Sequence, residues 1–179
     1  MLLAAAWLLI LSCGTPCTVE TEYIPVLENV SPAHAAAEAE RAFSVLVDWT
    51  EWSLWNSFWI SNAVESPAKG ARVSILVNGT PPLWIPFEVV QVDFTSRMFC
   101  WRVCVPWFQP AFNVLLRTGR CTSVVYDGAH KAISVKTVDP HSGLLAYPIC
   151  MLKKTDAEQR YRDMALDLKA WLQRALPRL

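Results

Sequence analysis

The chain has 179 residues, 53% hydrophobic, 11% aromatic and 18% charged, with sixteen basic side chains balancing sixteen acidic ones. That is one domain, able to bury about 70% of its unfolded surface without a metal or disulfide staple, and too apolar to be disordered. Neutral, scattered charge leaves no electrostatic footprint for nucleic acid, and nine Trp point to an aromatic-lined cavity.

Met1 to Leu11 form an unbroken apolar run ending in Ser12-Cys13-Gly14. It is too short to span a bilayer, and it has the length of a signal-peptide core, with small residues for cleavage after Gly14. No Lys or Arg precedes it, so the alternative is an apolar extension lying on the domain or on a membrane surface through residues 1–12. The folded domain is expected over 18–179, behind an apolar segment 1–17. Location follows that choice: the secretory pathway or a membrane with a signal, the cytoplasm without one.

Thr18 to Leu27 alternates as a first strand, with Val19, Thr21 and Tyr23 on one face and Glu20 and Glu22 on the other. Ser31-Pro32 opens a helix that runs to about Asp48 and buries Ala39, Phe43, Leu46 and Val47. Trp49, Trp52, Trp55 and Trp59 recur at three- and four-residue spacing, which predicts a short second helix packed into the core. The pattern then turns to strands: Arg72 to Val77, Trp84 to Asp93, Met98 to Val105, Phe112 to Tyr126 with a bend at Gly119, and Lys131 to Val138. Short turns, among them Asn78 to Pro82 and Asp127-Gly128, imply an antiparallel meander. Thr155-Asp156-Ala157-Glu158 is a capping box, and the stripe Tyr161, Met164, Ala165, Leu168, Trp171, Leu172, Ala175 predicts a final helix of about 21 residues, roughly 31 Å long. Pro177 stops it.

The six Cys are Cys13, Cys17, Cys100, Cys104, Cys121 and Cys150. Cleavage after Gly14 would leave an odd count, and Cys100 and Cys104, four residues apart on a strand, are about 13 Å apart and cannot bridge each other. Buried free thiols are the expectation. No zinc-ligand spacing is present, so no metal or other cofactor is implied. Two sequons, at Asn29 and Asn78, matter only in an exported chain, and the Pro after each weakens it.

A curved antiparallel sheet gripping a long C-terminal helix satisfies this element order, an α+β architecture. The residues also resemble a known superfamily. Ala42 to Asp48 followed by Trp52-Ser53-Leu54-Trp55-Asn56-Ser57-Phe58 is similar to the opening signature of the START-like (SRPBCC, polyketide cyclase/dehydrase) proteins, with Ser57 where Pro is common. Gly70-Ala71-Arg72-Val73, Phe87 to Val92 with Phe99-Cys100-Trp101, Ser142 to Leu145 and Met164 to Lys169 follow in the family's order, over residues 18 to 176. The resemblance implies a helix-grip fold around a hydrophobic ligand cavity, in a superfamily that includes cyclases, lipid and isoprenoid carriers and hormone receptors.

No nucleophile elbow, phosphate loop or Ser/His/Asp set is present. Chemistry in such a cavity needs an acid or cation to polarise a carbonyl and a base for an α-proton. The candidates are Arg102 and Arg117, each a charge in an apolar strand and each equally readable as an outer-face residue. Tyr126, before the hairpin, also reads as a cross-strand packing residue, and His141 sits in a loop before the last helix. Ligand contacts are expected from Trp55, Trp84, Trp101, Trp107, Tyr147, Met164 and Leu168. Two functions are in view. A cyclase, dehydratase or isomerase would turn two or more of the polar candidates into one cavity. A non-catalytic carrier or sensor of a lipid, sterol or isoprenoid would have a wholly apolar one. The partner in either case is an apolar small molecule, and no protein partner is inferable.

Overall fold

The computed structural model describes residues 15–62, 68–77, 82–104 and 109–174. The apolar run 1–14, the Asn78 sequon, Trp107 and Pro177 lie outside them. Eight strands form one antiparallel sheet: β1 (Cys17–Glu20), β2 (Ile24–Leu27), β3 (Trp59–Asn62), β4 (Arg72–Val77), β5 (Leu83–Asp93), β6 (Met98–Val103), β7 (Arg117–Asp127) and β8 (Ala132–Ser142). Their order is β1-β8-β7-β6-β5-β4-β3, with β2 continuing β1 along β8. The described residues also form four helices: α1 (Ala35–Val47), α2 (Trp52–Trp55), α3 (Gln109–Leu115) and α4 (Ala146–Arg174).

The expected first strand is two strands. Val19 pairs with Asp139 and Thr21 N–H donates to the Thr137 carbonyl, but Ile24 already faces Val135. The extra residue in 21–24 makes a bulge, which reverses the facing of the residues beyond it. Thr21 stays buried, whereas Tyr23 turns outward under the Lys136 ammonium. The predicted strand start at Phe112 is helical instead. α3 occupies 109–115, and β7 begins only at Arg117.

The last helix is longer than its capping box suggests. α4 has 29 residues, about 43 Å, and Thr155 lies exposed in its middle. Ala146 and Cys150 are buried in its first turns, and Pro148 falls early enough that its missing N–H removes no helical bond. A Cys17–Cys150 disulfide fastens these turns to β1, and Cys100–Cys121 joins β6 to β7. The expectation of free thiols is therefore wrong for four of the six Cys, and Cys104 is free and buried. Sequence spacing could not reveal either bridge, because both pairs meet only through strand pairing and helix docking.

The centre of the grip is filled by its own rings. α1 buries Ala39, Phe43, Leu46 and Val47 as expected, and Trp49, Trp52, Trp55 and Trp59 are all at most 4% exposed. Trp52 is the hub. Its ring lies 5.6 Å from Trp49, 6.1 Å from Trp55 and 5.0 Å from Trp59, and its indole N–H donates to the Leu46 carbonyl at 2.8 Å. Trp59 continues the cluster to Phe87 and Trp101. Tilted and edge-on pairs of this kind suit the ring quadrupoles. Much of the indole content is thus core, and any ligand space must lie beside it.

Candidate functional site

That space is a cavity of about 360 Å³ between the sheet and the first half of α4. Strand alternation decides what enters it. On β8 the inward parity runs Ile133, Val135, Thr137, Asp139, His141. On β7 it runs Val124, Thr122, Arg120. The register that pairs Thr118 with His141 and Cys121 with Val138 sets Arg120 across from Asp139. From above, α4 lowers Tyr161 onto the same spot. Val19, Phe58, Val77, Ile85 and Ile149 supply the apolar walls, and Lys153, Asp156 and Arg160 border it from α4.

The result is a buried polar cluster. The Tyr161 hydroxyl donates to Asp139 Oδ2, and Arg120 Nε stands 3.5 Å from Asp139 Oδ1. The Arg120 guanidinium is layered between two rings, 4.7 Å from the centre of Trp101 and 4.2 Å from that of Tyr161, which fixes its plane. Arg120 Nε and Asp139 Oδ1 thus face each other as a buried ion pair, and His141 Nδ1 is buried with no hydrogen-bond partner among the described residues. Buried polar atoms are normally satisfied, so His141 Nδ1 is the atom of this cluster with a hydrogen bond still to make.

Burial governs the charges. It pushes the Asp139 carboxyl above its ordinary value, against the pull of Arg120 and then His141. It lowers the Arg120 guanidinium, which Asp139 opposes, though an arginine remains a cation at any pH of interest. It also holds the His141 imidazole below its ordinary value. Asp139 works against that effect and Arg120 with it, so His141 is neutral at neutral pH and can accept a proton.

Of the site residues singled out from sequence that lie among the described residues, His141 alone lines this cavity. Arg102 and Arg117 come together elsewhere, around a depression on the opposite face of the sheet near the Cys100–Cys121 bridge. There Arg102 donates two hydrogen bonds to the Glu88 carboxylate, at 3.0 and 3.1 Å. Tyr126 is in the core and donates to the Val30 carbonyl at 3.3 Å. Trp101 backs Arg120, Trp55, Met164 and Leu168 are core, and Trp84 and Tyr147 are exposed. Sequence patterning misses Arg120, Asp139 and Tyr161 as site residues. Counting alternate residues back from Val124 and forward from Ile133 finds the first two. Tyr161 is hidden within an apolar helical stripe.

Among the described residues no group of three or more His, Cys, Asp or Glu could hold a metal ion, and no helix is long and apolar enough to cross a membrane. No protein-family model matches the sequence, and no curated protein matches it by sequence. Solved structures do match its fold. Norcoclaurine synthase from Thalictrum flavum, in complex with dopamine and hydroxybenzaldehyde, superposes with a TM-score of 0.63 at 10% identity, over 94% of this chain and 93% of that one. Ara h 8.0201 gives 0.60 at 12% identity, over 89% and 99% of the two chains. The major latex-like protein 151 of Panax ginseng gives 0.59 at 11%, over 92% and 99%. Sheet order, the gripped helix and these superpositions agree: the chain has the α+β helix-grip fold of those structures, the fold that the START-like resemblance implies.

Proposed function

We propose that the chain binds a small molecule with a flat apolar body in the cavity under α4 and moves a proton on it, as a cyclase, dehydratase or isomerase does. The observation that carries this reading is the buried Arg120–Asp139–Tyr161–His141 cluster on the cavity wall, with its ion pair and the unpaired His141 Nδ1. Burying an ion pair is costly and seldom chosen for stability, so its position on a cavity wall favours a functional role. That a fold relative is a biosynthetic enzyme holding a phenolic amine and an aromatic aldehyde supports the ligand class.

The chemistry comes from the groups themselves. Neutral His141 takes a proton from a carbon next to a carbonyl, the C–H electron pair becomes a C=C bond, and the carbonyl oxygen gains the negative charge. Arg120, already oriented, meets that charge as it develops. Returning the proton to a different carbon isomerises the substrate, and delivering it to a departing hydroxyl releases water. Asp139 and Tyr161 position Arg120 and never take the substrate proton.

β-Tetralone, an enolisable ketone small enough for the cavity, tests this in deuterium oxide. The protein should accelerate α-proton exchange by about 100-fold over buffer, followed by NMR, and His141→Gln should abolish the acceleration. The apolar walls, Val19, Val77, Ile85 and Ile149, favour a second reading, a non-catalytic carrier of an apolar ligand. Ketone bound without faster exchange would establish that reading instead.

A further inference from the structure

We infer that the corner where α3 meets the start of α4 is a lipid-docking surface, fitted to a bilayer with anionic headgroups. The inference stands on the outer surface and needs no part of the chemistry proposed above. Its first support is what the corner exposes. Leu152 is 85% exposed, Val114 61% and Met151 54%, and Leu115, Leu144 and Tyr147 are exposed beside them. Leu144 N–H donates to the Val114 carbonyl at 3.0 Å and Leu145 N–H to that of Leu115 at 2.7 Å, which fastens the end of α3 to the turn into α4. From that turn Leu144, Tyr147, Met151 and Leu152 fall along one side of the chain as it winds into the helix. Single apolar residues on a surface are ordinary, but a joined set spanning two helices marks a contact surface. Further along α4 the same side is polar, with Thr155, Gln159 and Arg162 exposed, so the apolar stripe is confined to the corner.

The second support is charge, which says what covers the patch. Segments 111–118 and 142–155, which build the corner, contain Arg117, Lys153 and Lys154 and no Asp or Glu. In a chain of zero net charge this is a basic end. Arg117 pairs with Ser142 in the sheet and so stands at the turn, and both lysines are exposed just beyond Leu152. Glu158, a turn further on, comes only within 3.9 Å of Lys154. Lysine is depleted from protein–protein interfaces. At a bilayer its stem lies along the acyl boundary while its ammonium reaches the phosphates. Tyr147 has the apolar body and polar tip that suit the same depth.

The third support is position. The Cys17–Cys150 bridge pins the start of β1 to α4 between Tyr147 and Met151. Leu11, the last residue of the apolar run, precedes Cys17 by six residues, at most about 21 Å of chain. A retained run therefore meets the bilayer at the same end, and the patch remains on the folded domain where the run is removed. Ile149, Cys150 and Lys153, on the inner side of these turns, line the cavity. A bilayer against the outer side lies one helix diameter, about 10 Å, from that cavity, so an apolar molecule dissolved in lipid is brought to its edge.

The test mixes the full, disulfide-intact chain with vesicles of equal parts phosphatidylcholine and phosphatidylglycerol. Flotation measures binding, and hydrogen exchange read by mass spectrometry locates it. Peptides covering 111–118 and 142–155 should exchange more slowly on the vesicles, and the hairpin at 127–131 should not change. Met151→Ser combined with Leu152→Ser should weaken binding about ten-fold or more, and vesicles of phosphatidylcholine alone should weaken binding of the unaltered chain about as much. Lys153→Gln with Lys154→Gln should reduce the dependence on phosphatidylglycerol. The substituted side chains are exposed, and circular dichroism checks that each variant is folded. Unchanged binding by the Met151 and Leu152 variant would overturn the inference, because the run 1–11 would then bind alone. Protection outside the corner, or no vesicle binding, would overturn it as well. A dimer seen by light scattering and dispersed by the same variant, with no vesicle binding, would give the patch to a second copy instead. None of these results bears on the α-proton exchange that tests the cavity reading.

Discussion

Single residues in this protein carry unequal weight, and the Arg120–Asp139 pair carries the most. Removing one partner leaves the other charge buried, so Arg120→Met should destabilise the chain by about 3–5 kcal/mol. Replacing both, as in Arg120→Met with Asp139→Leu, should restore most of that stability, since two apolar side chains need no solvation. Chemical denaturation of the two variants measures the difference. The histidines make a complementary test. His141 is held below its ordinary value by burial, so on acidification the unfolded chain takes up a proton first, and stability falls as pH drops below about 6.5. His130 is raised above its ordinary value by its hydrogen bond to Asp127, so its contribution is complete below about 6.5 and is lost as pH rises through the folded value. His141→Gln should flatten the acid side of a melting-temperature profile, and His130→Gln the neutral-to-alkaline side. Identical profiles for the two variants would contradict the buried placement of His141.

At the scale of elements, the long helix and its neighbours show what periodicity can and cannot report. The stripe from Tyr161 to Leu172 is legible because burial on a helix repeats every three to four residues. The capping box at Thr155 misleads because a good cap is only an offer. Upstream residues 146–154 are held helical by the docking of Ala146 and Cys150 and by the tether to Cys17, none of which a local motif records. α3 is hidden for a related reason, since seven residues are too few for a helical period to stand out from strand alternation. The turn before α4 depends on Gly143, whose φ of +104° is joined by a tight approach: an added Cβ would sit 2.9 Å from the Val114 and Leu115 carbonyl oxygens. Leu144 and Leu145 N–H donate to those same carbonyls. Gly143→Ala should therefore cost about 1–3 kcal/mol and loosen α3 from α4, visible as faster amide exchange at Leu144 and Leu145. The Trp cluster is an element in its own right. Trp52→Ala should cost about 3–5 kcal/mol, as it opens a hole among three indoles and orphans the Leu46 carbonyl.

For the molecule as a whole, the fold is legible in the sequence and the site mostly is not. Fold comes from the order of elements and from the buried stripes of α1 and α4, and it is shared with structures that match only about a tenth of the chain's residues. The site is built from Arg120, Asp139 and Tyr161, which lie on three elements and are brought together only by sheet register and helix docking. His141 alone is visible, because an isolated His draws notice wherever it stands. The two disulfides suit an oxidising compartment, and with the apolar run 1–14 they support the export reading. Two thiol-reactive sites at most, Cys104 and Cys13, should be found in the denatured, unreduced chain, and only Cys104 where the run has been removed. Mass spectrometry of the labelled protein from its native source reads both results at once.

The bridge from Cys17 to Cys150 has a separate consequence for how the protein breaks. It joins residues 133 positions apart, so nearly all of the sheet lies inside one covalent ring that includes the start of α4. A protease that cuts any exposed loop within that ring opens it without releasing a fragment. Nicked protein should run as a full-length band in non-reducing electrophoresis and separate into two pieces only after reductant, and it should keep α4 over the cavity until then.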